Sequence, residues 1–363
     1  MTVYIVDIEA VDTRYTKQWK EHLPKQLKHA GLDVAVISGG DVPQATTPGA
    51  FLNFAGTNNY KSQQMLQISE MFAKGIVKDG DYFLYTDAWN PTVIQLRYMA
   101  ELLGVDIRIG GLWHAGSYDP QDFLGRLIGD KPWVRRAEQS MYYTYDNNFF
   151  ASDFHIELFL REQFGLDNPW IEEDVEEALA GKEPRITRVG WPMEYLKESL
   201  VTYSGMDKRD LILFPHRIAP EKQPEIFRDL KEALPQYEFV ICQERELTKN
   251  EYHNLLGEAK LVFSANLQET LGISWYEGAL VNAIPMIPDR LSYSEMAVDK
   301  FKYPSEWTAD FTMYKVNKDK IIASIQDYME NYDEYLVALD AQRKKLNKDY
   351  FSGAALYDAI KRQ

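Results

Sequence analysis

The segment 264-SANLQETLGISWYEGALVNAIPMIP-288 decides how the rest of the chain is interpreted. It follows an apolar run at 261–264, which predicts a strand, and passes through a turn ending at Gly272 into a helical run that carries Glu277. A second short strand is predicted at 284–287. The N-terminus of a helix presents unpaired N–H groups and about half a positive charge. The segment therefore predicts an anion site between a strand and a helix.

Two carboxylates of this segment, Glu269 and Glu277, lie eight residues apart. Glu269 falls at the predicted turn, and Glu277 falls inside the helix, about one turn further from the anion site. A carboxylate beside a bound phosphate would be repelled, so we expect both side chains to meet hydroxyl groups. The alternative for Glu277 is an ordinary exposed helical residue.

Three motifs in this half resemble the retaining, family 4-like group of GT-B glycosyltransferases. The two glutamates match the E-x7-E motif of that group, and Arg217 and Lys222, in 214-FPHRIAPEK-222, match its R-x4-K element. Downstream, 288-PDRLSYSE-295 resembles the P-x-x-L-x-Y-x-E tail of the tRNA-queuosine mannosyltransferases. The resemblance covers about residues 205–300. It implies an α/β chain of the GT-B class, with two Rossmann-like domains facing a central cleft and a C-terminal helix that crosses back to the first domain.

The resemblance also implies a role for each matching residue. Arg217 and Lys222 would neutralise the diphosphate of a sugar nucleotide, Glu277 would hold its ribose, and Glu269 would lie beside the donor sugar. Backbone N–H groups of the turn would bind the pyrophosphate, and these belong to Thr270, Leu271, Gly272 and Ile273. The alternative for Arg217 and Lys222 is a pair of surface cations on a loop. An inactive GT-B binding module is disfavoured because all four charged residues are present.

Length and composition agree with a two-domain, folded chain. The chain has 363 residues, of which 45% are hydrophobic and 13% aromatic, and this length favours two domains. We predict an acceptor-binding domain at 1–190, a nucleotide-sugar-binding domain at 191–340 and a C-terminal helix at 341–363. Helices are expected over most of the tail from 318 onward.

The compartment and the partners are predicted from cysteine, charge and hydropathy. The single cysteine, Cys242, cannot form an internal disulfide, which favours the cytoplasm. No stretch of ~20 apolar residues is present to span a membrane. The formal net charge of −15 makes nucleic acid a poor default partner, although a local basic surface can override it. We expect a monomer.

The first half alternates strands and helices, which predicts a parallel sheet with functional residues at the carboxyl ends of its strands. Strands are predicted at 3–8, 33–38, 81–87 and 105–113, and helices at 16–30, 61–77 and 92–103. Asp87 and His114 follow two of these strands and are the catalytic candidates, together with Glu269. In the resembling group a histidine of the first domain lies beside the transferred sugar, which favours His114. The alternative for Asp87 is an Asx-type cap. His155, in a helical run, is more consistent with a structural role.

Segments 85–91 and 111–126 resemble glycosyltransferases of T4-like bacteriophages that act on hydroxymethylated cytosine in DNA. A basic cluster in this otherwise acidic chain agrees with that acceptor, because phosphates need cations and an aromatic ring can stack on a displaced base. The cluster consists of Arg126, Lys131, Trp133, Arg135 and Arg136, with Arg14 and Lys17 as further candidates. The alternative is a surface helix of mixed charge.

No metal or cofactor is predicted. The D-x-D sequence at 79–81 precedes a strand and is typical of a turn, no G-x-G-x-x-G loop is present, and the six histidines lack metal-ligand spacing. The co-substrate is expected to be UDP-glucose or UDP-arabinose rather than GDP-mannose, since uridine donors are commoner. The resemblance implies transfer with retention of configuration. Double-stranded DNA with hydroxymethylated bases is the favoured acceptor, and tRNA or a small or lipid-linked molecule remains the alternative. An acidic surface helix is expected at 165–185.

Overall fold

The computed structural model describes residues 1–11, 15–43, 45, 47, 52–129, 131–166 and 185–362. The chain divides into two compact units. Unit 1 comprises Met1–Met193 with Ser352–Gln363, and unit 2 comprises Glu194–Phe351. Residues 167–184 of the predicted acidic helix and the candidate cation Arg14 lie outside the described residues.

Unit 1 is built on a parallel sheet with the strand order β2-β1-β3-β4-β5-β6 in the described residues. The strands are β1 (Thr2–Val6), β2 (Asp33–Ile37), β3 (Tyr82–Tyr85), β4 (Arg108–Leu112), β5 (Asn147–Phe150) and β6 (Arg185–Arg188). The four strands predicted from the first half are confirmed. Strands β5 and β6 were not predicted from the sequence; they are four residues each and begin with polar residues, Asn147 and Arg185.

Among the described residues, six helices of unit 1 alternate with or follow these strands. They are α1 (Tyr15–His29), α2 (Phe54–Ala73), α3 (Thr92–Leu103), α4 (Phe123–Ile128), α5 (Pro132–Thr144) and α6 (Asp153–Phe164). The predicted boundaries of α2, 61–77, were wrong. Asn53 starts the helix seven residues earlier, because its side chain accepts a hydrogen bond from the N–H of Gly56. The helix ends at Ala73, just before Gly75, whose φ is +63°.

Unit 2 is built on a second parallel sheet, with the order β11-β10-β9-β7-β8. The strands are β7 (Arg209–Phe214), β8 (Glu238–Ile241), β9 (Ala259–Phe263), β10 (Ile284–Pro288) and β11 (Lys302–Tyr303). All five residues of β10 and the last four of β7 are buried. A parallel sheet covered by helices on both faces requires such continuous apolar strands.

Seven helices accompany the second sheet. They are α7 (Tyr195–Leu200), α8 (Pro224–Ala233), α9 (Lys249–Glu258), α10 (Ile273–Leu280), α11 (Ser292–Met296), α12 (Phe311–Glu330) and α13 (Leu336–Asp349). A last helix, α14 (Ala354–Lys361), belongs to unit 1. The helical tail predicted from 318 onward is confirmed. Within the described part of the chain, no helix combines the length and apolar character needed to cross a membrane.

Lys208 ties the C-terminal ends of two helices of unit 2 together. Its Nζ donates hydrogen bonds to the carbonyl of Ala259, at the end of α9, over 2.9 Å, and to the carbonyl of Val281, at the end of α10, over 2.6 Å. Burial lowers the pKa of Lys208 to about 7. A neutral amine still has enough N–H groups for both carbonyls, so the contacts survive deprotonation.

This lysine should make stability rise with pH. The pKa of Lys208 is about 7 in the folded chain, against an ordinary value of 10.5. Between these two pH values the lysine is protonated in the unfolded chain and mostly neutral in the folded chain. The free energy of unfolding should therefore rise by up to about 1.4 kcal/mol per pH unit in that range. Urea unfolding of wild type and Lys208→Met tests this: wild type should gain stability relative to the variant as the pH rises above about 7. Parallel pH profiles would contradict the assignment.

Candidate functional site

The segment 264–288 lies at the point where the strand order of unit 2 reverses. From β7 the chain moves to β8 on one side, and then returns to β9 and β10 on the other. The loops that leave β7 and β9 therefore start side by side at the carboxyl edge of the sheet. In open α/β sheets this crevice is where ligands bind.

Lys222 is a buried cation between these two loops. It is 5% exposed, and its Nζ donates to the carbonyl of Gln268 and lies 3.5 Å from Oε2 of Glu269. The 3-10 turn Pro220–Lys222 and the left-handed Gln223 (φ +51°) direct the side chain inward. Burial lowers the pKa of Lys222, although the nearby carboxylate of Glu269 acts to raise it. The lysine therefore joins the loop after β7 to the loop after β9.

Arg217 and His216 complete the basic side of this crevice. The Nε of Arg217 donates over 2.7 Å to Oε1 of Glu221, whose side chain is buried. Nδ1 of His216 lies 3.5 Å from the amide nitrogen of Asn266 and 3.5 Å from the hydroxyl of Ser274. Burial lowers the pKa of His216 to about 3, and Lys222 and Arg217 add to the shift. His216 is therefore neutral near pH 7, and the positive charge belongs to the arginine and the lysine.

The turn before α10 presents backbone N–H groups. Oε1 of Glu269 accepts hydrogen bonds from the N–H of Thr270, over 3.2 Å, and of Leu271, over 3.5 Å. Gly272 precedes the helix with φ +87° and ψ +67°, and Ile273 is the first helical residue. The predicted strand–turn–helix is thus confirmed, and Lys222, Glu269 and the N–H groups of Thr270 and Leu271 lie together.

Glu277 lies in a second polar group, held by side chains of α9. It is 4% exposed; Lys249 Nζ is 3.1 Å from its Oε1, and the hydroxyl of Tyr252 donates to its Oε2 over 2.9 Å. Nε2 of His253 lies further away, at 3.8 Å. Burial acts to raise the pKa of Glu277, but Lys249 and His253 outweigh it and lower the pKa. Glu277 is a buried, ionised hydrogen-bond acceptor rather than an ordinary exposed helical residue.

Arg290 and Tyr293, from the 288–295 motif, support the loop after β9. The guanidinium of Arg290 donates to the carbonyls of Asn266 (2.6 Å), Ala265 (2.7 Å) and Ser305 (3.0 Å). The Tyr293 hydroxyl accepts from the amide of Asn266 over 2.7 Å. Two residues of this motif therefore fix the loop that carries Gln268 and Glu269.

In unit 1 the two catalytic candidates are engaged by neighbouring side chains. The Tyr15 hydroxyl is 2.5 Å from Nδ1 of His114, and Nε2 of His114 is 2.6 Å from the carbonyl oxygen of Thr86. Because a carbonyl only accepts, Nε2 carries the proton in the neutral ring and Nδ1 accepts from the tyrosine. Asp87 accepts from the N–H of Trp89 (3.1 Å), as an Asx turn does, and pairs with Lys61 (3.0 Å).

His155 is buried in α6, where its Nε2 is 2.6 Å from the Tyr118 hydroxyl. Burial lowers its pKa to about 3, and His114 adds to the shift. The D-x-D sequence forms the predicted turn: Gly80 has φ +82°, and Asp81 accepts from the N–H of Thr2 and of Lys78. No three His, Cys, Asp or Glu side chains of the described residues come together as a metal site.

The basic cluster lies at the end of α4 and the start of α5. Arg126 and Arg136 are exposed, Arg135 is partly exposed, and Lys131 stands at the N-cap of α5. Trp133, in the first turn, is 67% exposed. An exposed tryptophan flanked by exposed cations is a surface suited to an anionic partner.

Several residues around the candidate sites were missed in the sequence analysis. In unit 2 these are His216, Gln268, Lys249, Tyr252 and Arg290, and in unit 1 they are Glu9 and Lys61. Glu9 follows β1 at the carboxyl edge of its sheet, and that position was a usable signal. Lys249 and Tyr252 give no such signal, because they act on Glu277 from another helix.

No family model matches the chain, and a comparison with curated protein sequences gives no match. Solved structures do match. The starch synthase IV catalytic domain of Arabidopsis thaliana, bound to ADP and acarbose, is 12% identical, with a TM-score of 0.62 over 99% of this chain and 98% of that one. Sucrose-phosphate synthase from Thermosynechococcus elongatus is 10% identical, with a TM-score of 0.60 over 100% and 98%.

A third match is the pneumococcal O-GlcNAc transferase GtfA in complex with UDP and GlcNAc. It is 14% identical, with a TM-score of 0.52 over 81% of this chain and 59% of that one. At such identities the likeness establishes the fold alone. The chain has the GT-B fold of these glycosyltransferases, with two Rossmann-like parallel sheets, and the predicted fold class is confirmed.

Gly272 should be required for folding of the turn before α10. A Cβ at this position would lie 2.3 Å from Nε1 of Trp275, in a left-handed backbone conformation. We therefore expect Gly272→Ala to lower the free energy of unfolding by about 2–4 kcal/mol in urea unfolding. Gly205→Ala is the matched control, since its Cβ meets nothing within 4 Å, and should change stability by less than about 0.5 kcal/mol. Equal effects of the two substitutions would refute the steric account.

Proposed function

We propose that this chain is a glycosyltransferase that moves a sugar from a UDP-sugar, with retention, to the hydroxymethyl group of 5-hydroxymethylcytosine in phage DNA. The observation that carries the transferase assignment is the buried Lys222 beside the turn N–H groups at the start of α10. A cation and backbone N–H groups at the switch point of a parallel sheet favour a diphosphate. Structural neighbours solved with ADP or UDP support a nucleoside diphosphate as the ligand of this fold.

The charges of unit 2 suit the breaking of a sugar–diphosphate bond. Lys222 and Arg217 stabilise the negative charge that develops on the leaving diphosphate, and the N-terminus of α10 adds its dipole. Glu269 now holds the N–H groups of Thr270 and Leu271 and faces Lys222. A diphosphate competes with this carboxylate for the same partners, so Glu269 turns toward the hydroxyl groups of the donor sugar.

Glu277 accepts hydrogen bonds from the ribose hydroxyls. It is ionised, because Lys249 and His253 lower its pKa, and each carboxylate oxygen can accept more than the one bond made by Lys249 or Tyr252. The side chains of Lys249 and Tyr252 therefore fix the orientation of the Glu277 carboxylate and leave its oxygens able to accept further hydrogen bonds. The reaction needs no metal in this proposal, because the lysine, the arginine and the helix supply the positive charge.

The acceptor assignment is supported by the surface of α4 and α5 in unit 1. In a chain with a formal net charge of −15, the exposed Arg126, Lys131, Trp133 and Arg136 give a local basic surface. Cations there position the DNA backbone by its phosphates and carry no sequence preference. His114 and Asp87 lie at the carboxyl edge of the same unit and polarise or position the acceptor hydroxyl.

Removing a charge of the donor site should weaken donor binding while the fold survives. A hydrogen bond to a charged group contributes ~1.5–3 kcal/mol, so Lys222→Ala and Glu277→Ala should each weaken UDP-sugar binding by about tenfold or more. Calorimetric titration measures the dissociation constant, and thermal melting checks the fold. Lys231→Ala, an exposed lysine of α8, is the control and should bind as wild type does. Unchanged affinity in both site variants would remove the donor-site assignment.

Reversing charge on the basic surface should weaken DNA binding alone. Lys131→Glu combined with Arg136→Glu removes two phosphate contacts and adds two repulsions, so the KM for hydroxymethylated DNA should rise by about tenfold or more at low salt. The KM for the UDP-sugar should stay the same. Lys74→Glu combined with Lys78→Glu makes the same charge change elsewhere on unit 1 and serves as the control. An equal loss in both double variants would show a general charge effect and exclude this surface.

A further inference from the structure

A second polar site occupies the carboxyl edge of the unit 1 sheet, where β1 and β3 are neighbours. The chain leaves β1 toward β2 on one side and reaches β3 on the other, so this is the switch point of unit 1. The face of α2 that packs here changes character along its length. Its buried residues are polar near the N-terminus and apolar further on: Thr57, Tyr60, Lys61 and Gln64, then Met65, Ile68 and Phe72. The polar end therefore stands over the loops that leave β1 and β3.

Glu9, in the loop after β1, is a buried carboxylate that can accept more hydrogen bonds than it now does. It is 2% exposed, and within the described residues the Thr57 hydroxyl is the one hydrogen-bond donor to it, on Oε1. Asp7, two residues earlier, differs: it accepts from Ser38, Tyr60 and Gln64 and is 3.4 Å from Lys20. Burying a carboxylate without enough donors is costly. Oε2 of Glu9 has no donor among the described residues and can accept a hydrogen bond from an N–H or O–H group.

Trp89 stands on the same side of α2 as Glu9. Lys61 is one helical turn beyond Thr57, and its Nζ lies 3.0 Å from Asp87 and 4.5 Å from the centre of the Trp89 ring. The register Val6↔Tyr85 brings the ends of β1 and β3 level, which places Glu9 and Trp89 in adjoining loops. The Trp89 side chain is partly exposed. An aromatic ring and a hydrogen-bond acceptor thus contact the same face of α2, one helical turn apart.

We propose that Glu9 and Trp89 recognise the target base, with the Glu9 carboxylate accepting a hydrogen bond from the exocyclic amino group of 5-hydroxymethylcytosine and the base stacking on Trp89. This inference rests on the proposed function, since it concerns the acceptor of that reaction. Carboxylates recognise cytosine through its amino group, and displaced bases stack on aromatic side chains. A phosphate is disfavoured in this place, because Glu9, Asp7 and Asp87 would repel it and Lys61 already pairs with Asp87.

The test compares two DNA acceptors whose target bases differ at the exocyclic amino group. 5-Hydroxymethyluracil carries the same hydroxymethyl group, but a carbonyl oxygen replaces the amino group. Purified wild-type chain with UDP-sugar should prefer 5-hydroxymethylcytosine DNA by about tenfold or more in kcat/KM, measured by nucleoside mass spectrometry, because a carboxylate repels a carbonyl oxygen. Glu9→Gln should lose this preference, because an amide can donate to the carbonyl or accept from the amine.

Glu70→Gln, an exposed glutamate of α2, is the matched control and should keep the wild-type preference. Thermal melting shows whether Glu9→Gln is folded. The ratio of kcat/KM for the two acceptors does not depend on how much of the variant is folded, because only folded protein contributes to both values. Equal use of both acceptors by wild type, or a Glu9→Gln variant that loses activity on both without a change in the ratio, would overturn the role of Glu9. Transfer to neither DNA would overturn the DNA acceptor itself, and this inference with it.

Discussion

The amine of Lys222, buried between two loops, is the constraint on which the conformation of the loop after β9 depends. Lys222 can remain there only because the carbonyl of Gln268 and the carboxylate of Glu269 meet its N–H groups. The loop after β9 must therefore keep one conformation, and other polar side chains hold it. Gln223 donates to the carbonyl of Ala265 over 2.7 Å, and Arg290 donates to the same carbonyl. The turn before α10, whose N–H groups at Thr270 and Leu271 donate to Glu269, is fixed as a consequence.

In each unit the polar site lies at the carboxyl edge of a parallel sheet, but the charged side chains at the two sites differ in sign. At the switch point of unit 2 the charged groups include three cations, Lys222, Arg217 and Arg290, and two carboxylates, Glu269 and Glu221, which pair with the first two cations. The excess of positive charge suits an anionic ligand. At the switch point of unit 1 the corresponding groups are Asp7, Glu9 and Asp87, and the cations near them are paired. Unit 1 therefore suits an uncharged group that donates hydrogen bonds. This division of charge fits a reaction between a nucleoside diphosphate sugar and a neutral acceptor.

The sequence contained enough information for the fold class and most elements, because strands buried on both faces and glycine-ended helices leave clear patterns. The 264–288 segment predicted its strand, turn and helix correctly, and the structure adds that Lys222 of the R-x4-K motif lies 3.5 Å from Glu269. The sequence did not give the partners of these residues. Lys249 and Tyr252 act on Glu277 across a helix contact, and Glu9 meets Thr57 from 48 positions away in the chain. Such pairs depend on tertiary packing, which leaves no periodicity in the sequence. The start of α2 was missed because its first turns present polar residues to the sheet edge.

The most direct test of the central claim is a matrix of donors and acceptors measured by nucleoside mass spectrometry. The purified chain would be incubated with UDP-glucose, UDP-arabinose or GDP-mannose and with plain DNA, 5-hydroxymethylcytosine DNA or tRNA. The account predicts that a hexose or pentose mass is added to the hydroxymethylated DNA, from a UDP-sugar. Hydrolysis of a donor without transfer to any nucleic acid would keep the donor site and reject the acceptor. If the chain neither binds nor turns over any of these donors, the assignment of the site around Lys222 as a donor site is contradicted.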